Sequence, residues 1–126
     1  MHKLLYLITA LTLLAFIACS KDKSACDAAE KYYGYLIKGD VERYVRSLHN
    51  YDELDEAYRS QLCDMFAQYL ERERQLRKGI VAAKAVRDSL IDSLQSLVFV
   101  EIEFGDSTRE QVILPLLRTE KGWKLK

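Results

Sequence analysis

Proline occurs once in the 126-residue chain and glycine five times, too few for a linker-rich or low-complexity protein. Neither sign of charge is in excess, with nineteen lysines and arginines against nineteen aspartates and glutamates. That balance excludes a nucleic-acid binder held by phosphate neutralisation, and no basic block restores one. Histidine is nearly missing, being limited to His2 and His49. There is no H-E-x-x-H, and the three cysteines, Cys19, Cys26 and Cys63, form no C-x-x-C. A glycine-rich phosphate loop and a G-x-S-x-G elbow are also missing. No metal or cofactor is therefore expected, and the common signatures of self-contained enzymes are absent.

A charge-free run of membrane-spanning length is missing too. After His2 and Lys3, fifteen residues from Leu4 to Ala18 carry no charge. A helix needs about 20 to cross the hydrocarbon core of a bilayer. A positive start, a short run apolar all round and a small residue at its end read as a secretory signal peptide over residues 1–18. In Phe16-Ile17-Ala18-Cys19 the small residue stands directly before cysteine, which resembles the lipobox of bacterial lipoproteins. The resemblance implies a diacylglycerol on the Cys19 sulfur, cleavage just before it and acylation of the new amino group. Residues 19–23 then form the lipidated cysteine and a hydrated tether. The expected address is the bacterial outer membrane, facing the periplasm or the cell surface.

From Ser24 onward the chain suits one domain, residues 24–126. A first helix starts at Ser24, with Tyr32 and Leu36 on its apolar stripe, and stops at Gly39. Asp40 caps a second, in which Val41, Tyr44, Val45 and Leu48 share a face and His49-Asn50 closes the element. A third is capped by Asp52 and buries Leu54, Ala57, Tyr58, Leu62, Met65, Phe66, Tyr69 and Leu70 before Gly79 ends it. Arg72, Arg74, Arg77 and Lys78 suit its C-terminal dipole. Strands follow at 97–104, 111–117 and 122–125, with Pro115 requiring an edge or a bulge. Residues 80–95 admit either helix or strand, and a strand over 80–87 completes the better layer. Helices followed by an antiparallel meander make the class α+β.

This order resembles the nuclear transport factor 2-like, or cystatin-like, superfamily, in particular small bacterial lipoproteins of that fold with no assigned function. Tyr32 to Tyr35, Lys38-Gly39-Asp40 and Lys121-Gly122-Trp123-Lys124-Leu125 carry the likeness. It implies N-terminal helices packed in a curved, cone-shaped sheet, whose interior is a pocket or a core. Enzymes of the superfamily place an Asp, His or Tyr inside that cone.

Candidate residues are few. His49 is the one histidine after the leader, and it has no identifiable partner acid. Glu101 and Glu103 share the solvent side of their strand. No catalytic residue is assigned. Cys26 and Cys63 admit a disulfide or two buried thiols. Tyr32, Tyr44, Tyr58 and Tyr69 fall on core stripes, leaving Tyr33 and Tyr35 as candidates for ligand or partner contact. The expected function is binding a small apolar molecule or an envelope protein. An isomerase- or hydrolase-type enzyme working in the cone and a structural subunit of an envelope complex are the alternatives.

Overall fold

A computed structural model of the protein describes residues 24–126; Cys19, the leader and the tether lie outside the described residues. Helix α1, Ser24–Ile37, buries Ala25, Cys26, Ala29, Tyr32, Tyr33 and Leu36. It ends at Gly39, whose φ of 77° is the left-handed turn that glycine adopts without strain. The Gly39 N–H donates to the Leu36 carbonyl at 3.0 Å and the Asp40 N–H to that of Tyr35 at 2.8 Å. Asp40 then caps α2, Val41–Arg46, its carboxylate accepting from the Arg43 N–H at 3.1 Å.

Helix α2 stops two residues before Leu48, earlier than the apolar stripe implies. Leu48 instead bridges Leu125 of the last strand. The Leu125 N–H donates to Ser47 at 2.9 Å, and the His49 N–H donates to Leu125 at 2.7 Å. Residues 47–49 thereby cover a sheet edge that would otherwise stand open. Asp52 is not the next cap. It lies in a 3₁₀ turn, Tyr51–Glu53, and the extended Leu54 separates that turn from α3. Asp55 takes the role, its Oδ1 accepting from the Tyr58 N–H at 2.7 Å. Helix α3 runs from Glu56 to Arg77 and ends on Lys78 and Gly79, both with positive φ.

Four strands follow as an antiparallel meander in the order β1-β2-β3-β4: Ile80–Asp92, Gln95–Phe104, Arg109–Thr119 and Gly122–Leu125. The ambiguous stretch is one long strand and its turn, since pairing continues past Arg87 through Asp88↔Val98, Ser89↔Leu97 and Leu90↔Ser96. Three register shifts along β1 bend it, as bulges do. Pro115 pairs with Leu97, and its carbonyl accepts from the Lys126 N–H at 3.1 Å, just past the end of β4. Its missing N–H therefore points toward Lys126, past the end of β4, and takes no bond from the β2 ladder.

The core lies between α1 and one face of the sheet. Ser96, Val98, Val100, Ile102 and Phe104 alternate along β2 and are each at most 1% exposed. Leu116, Trp123 and Leu125 continue that layer. The Tyr32 hydroxyl donates to the Trp123 carbonyl, and the Trp123 indole N–H donates to Ser24 Oγ at 3.0 Å. The result is an α+β domain of helices packed on a curved, unclosed antiparallel sheet, as the sequence implies.

Candidate functional site

An aromatic cluster packs the space among the three helices. Tyr33 meets Tyr44 edge-on at 6.5 Å between ring centroids, and Tyr44 meets Phe66 at 4.7 Å. The Tyr33 hydroxyl shares a hydrogen bond with Tyr69. Burial pushes the Tyr33 hydroxyl far above the ordinary tyrosine range, with Tyr69 and Tyr44 adding to it. Burial, followed by Tyr69, pushes Tyr44 up to about 12. Both shifts report rings cut off from water. The inward positions of β2 carry no carboxylate, and Glu101 on the outer face pairs with Arg109 at 3.1 Å.

Tyr33 is therefore not a surface residue. At 5% exposure it belongs to the core, because α1 is covered by the sheet on one side and by the α2–α3 aromatics on the other. Tyr35 is half-buried beside Tyr32 and lies 5.9 Å from the Arg43 guanidinium. Tyr58 and Met65, expected in the core, are 47% and 52% exposed.

Helix α3 explains that exchange. Its one buried residue is Glu73, which accepts from Arg77 Nε at 2.8 Å. Arg77 in turn meets Glu110 at 2.8 Å and lies 3.6 Å from the Phe104 ring centroid, so this charged clamp fixes the end of the helix to β2 and β3. Leu62, Phe66, Tyr69 and Leu70 are only half-buried, while Tyr58, Met65 and Leu76 face outward. Tyr58, Leu62 and Met65 border a shallow depression of about 480 Å³.

A second concavity, about 570 Å³, opens between residues 46–52 and the β3–β4 turn. Arg46, His49, Tyr51, Asp52, Lys121 and Lys124 line it. His49 Nδ1 lies 3.1 Å from the Leu125 carbonyl, which can only accept, so Nδ1 carries the proton. The lining holds no serine or cysteine, and no hydrogen bond joins His49 to Asp52 among the described residues. Sequence spacing gave no sign of this cleft, because the Leu48–Leu125 bridge is what brings its two halves together.

Cys63 is a free thiol on α3, so the Cys26–Cys63 bridge is not formed. Cys26 is buried in α1 and disulfide-bonded, and the remaining cysteine, Cys19, lies outside the described residues. Burial, then Glu42 and Asp64, push the Cys63 thiol up, opposite to what a reactive thiolate needs. Among the described residues no group of His, Cys, Asp and Glu is arranged to hold a metal ion. No described helix is long and apolar enough to cross a membrane.

No protein-family model and no curated protein matches the chain. In fold it is similar to a crystal structure from Campylobacter jejuni labelled an NTF2-like transpeptidase. The TM-score is 0.61 at 12% identity, over 79% of this chain and 94% of that one. The fold is nuclear transport factor 2-like. Among the described residues of this NTF2-like domain, tyrosines pack against one another between the helices, and the two concavities lie along α3 and beside β4.

Proposed function

We propose that the protein is a lipid-anchored domain of the bacterial envelope that works by binding a partner protein and not by catalysis. The aromatic cluster carries this reading. Tyr33, Tyr44 and Phe66 pack ring against ring among the three helices, which speaks against an open NTF2-like pocket for a small apolar ligand or a substrate. What remains exposed suits a protein surface. Tyr58, Met65 and Leu76 lie on a helix whose apolar side chains are at best half-covered. The lipobox-like Phe16-Ile17-Ala18-Cys19 supports the anchor.

The fold neighbour is labelled a transpeptidase, but this chain offers that chemistry little. Its free thiol is held protonated, and the cleft beside His49 contains no serine or cysteine. That cleft favours a second reading, a small anionic ligand met by Arg46, Lys121 and Lys124.

The test is Met65→Arg combined with Leu76→Arg, made in the native membrane. Wild-type protein should cross-link to one partner in stoichiometric yield through α3, and the variant should lose that product with its circular dichroism unchanged. A product that survives in the variant refutes the α3 surface. A retained small molecule in place of a partner refutes the binding class.

A further inference from the structure

The three outward-facing apolar side chains at the tip of the β1–β2 hairpin have no role in that reading. Leu90, Ile91 and Leu94 are 56%, 57% and 56% exposed. They surround a turn whose own polar needs are met, since Asp92 accepts from the Leu94 N–H at 2.8 Å and from the Gln95 amide at 3.2 Å. Nothing in the turn's conformation calls for leucine or isoleucine there.

Their position in the fold suggests what covers them. The Arg118 N–H donates to the Leu94 carbonyl at 2.7 Å, so the β1–β2 and β3–β4 turns lie side by side at one end of the sheet. Arg118 pairs with Trp123, whose indole donates to Ser24 Oγ at 3.0 Å. The first described residue of α1 is thus at the same end, beside the Trp123 indole, whose strand lies two strand spacings across the sheet from Leu94. Four residues, Ser20 to Lys23, separate Ser24 from Cys19. Fully extended, the five steps between those two residues reach at most about 17 Å.

We infer that this end of the domain rests on the membrane, with Leu90, Ile91 and Leu94 inserted at the boundary between headgroups and acyl chains. The inference depends on the lipid anchor at Cys19. A tether that short holds the Ser24 end close to the bilayer, and the apolar side chains at that end then leave water at no further cost in orientation. The backbone of a hairpin tip keeps the insertion shallow, because its outward polar groups need water or headgroups as partners. Arg118, Lys121, Lys124 and Lys126 at this end outnumber Asp88, Asp92 and Glu120 by one, so anionic lipid should add modestly to docking and salt should weaken it modestly.

The test uses the mature lipidated protein in phosphatidylethanolamine–phosphatidylglycerol vesicles whose acyl chains carry bromine, a contact quencher. Ile91→Trp and, separately, Met65→Trp are compared over the shared background of the buried Trp123. Trp at 91 should lose most of its added emission and shift to the blue, whereas Trp at 65 should do neither. An unquenched Trp at 91 on protein that keeps its acyl mass and sediments with the vesicles overturns the docking and leaves the anchor standing. A dimer in which a second copy shields position 91 from the lipid overturns it as well. If the native protein carries no acyl mass, the anchor reading has failed by itself. The tip is then judged on Cys19→Ser protein held to nickel-lipid vesicles by an N-terminal histidine tag: quenching at 91 supports the insertion and its absence overturns it.

Discussion

Replacing Tyr33 and Tyr44 by phenylalanine should flatten the alkaline limb of the protein's stability curve. In an unfolded chain a tyrosine ionises near pH 10. In the folded protein burial holds Tyr44 up to about 12 and Tyr33 above that range. A folded value above the unfolded one means that the native state keeps a proton the unfolded state has already released. Stability is then complete below about pH 10 and is lost as pH rises toward the folded values. Each group contributes a slope of about 1.4 kcal/mol per pH unit. One unit above the unfolded value, near pH 11, the loss is about 1 kcal/mol for each ring and about 2–3 kcal/mol for the pair. Tyr33→Phe also removes the bond to Tyr69, worth about 1 kcal/mol at every pH. The relevant quantity is therefore the change between about pH 8 and about pH 11 within each protein, taken from urea unfolding followed by circular dichroism. Lysines titrate in both proteins and cancel. If the double variant loses as much stability as wild type over that interval, the two hydroxyls reach water and the aromatic cluster is not closed.

Three further outcomes follow from local geometry. A Cβ on Gly105 would collide with the Lys78 carbonyl oxygen and come within 2.8 Å of the Lys78 Cβ, so Gly105→Ala should cost about 1–3 kcal/mol, seen as a lower urea midpoint at unchanged slope. Ser96 Oγ is buried without a hydrogen-bond partner, so Ser96→Ala should raise stability by about 1 kcal/mol in the same assay. Asp55→Ala removes the α3 cap and should cost about 1 kcal/mol, with faster amide exchange at Tyr58 and Arg59, whereas Asp52→Ala should leave both unchanged.

Elements fixed by local chemistry were legible in the sequence. Gly39-Asp40 states a helix stop and a helix start by itself, and both occur. The alternation along β2 likewise shows which residues face inward. Legibility fails where a neighbour distant in sequence decides. Asp52 and Asp55 are equally good caps in isolation, and the turn held by the Leu54 N–H on the Tyr51 carbonyl selects the second. Tyr33 and Tyr58 exchange roles because α1 is covered on two sides and α3 on little more than one, a difference no periodicity records. Strand β1 was ambiguous for a related reason: its alanines suit either state, and the pairing with β2 settles it. The cleft beside His49 depends on residues about 70 positions away and left no trace in spacing.

The most direct measurement is the native mass, without reductant, of the protein extracted from its own membrane. The expected species is a chain beginning at Cys19 with a diacylglycerol thioether, bound to a polypeptide partner and to no small molecule. An unacylated chain, or an acylated one retaining a small ligand and no partner, would contradict a lipid-anchored, solid-cored binding domain.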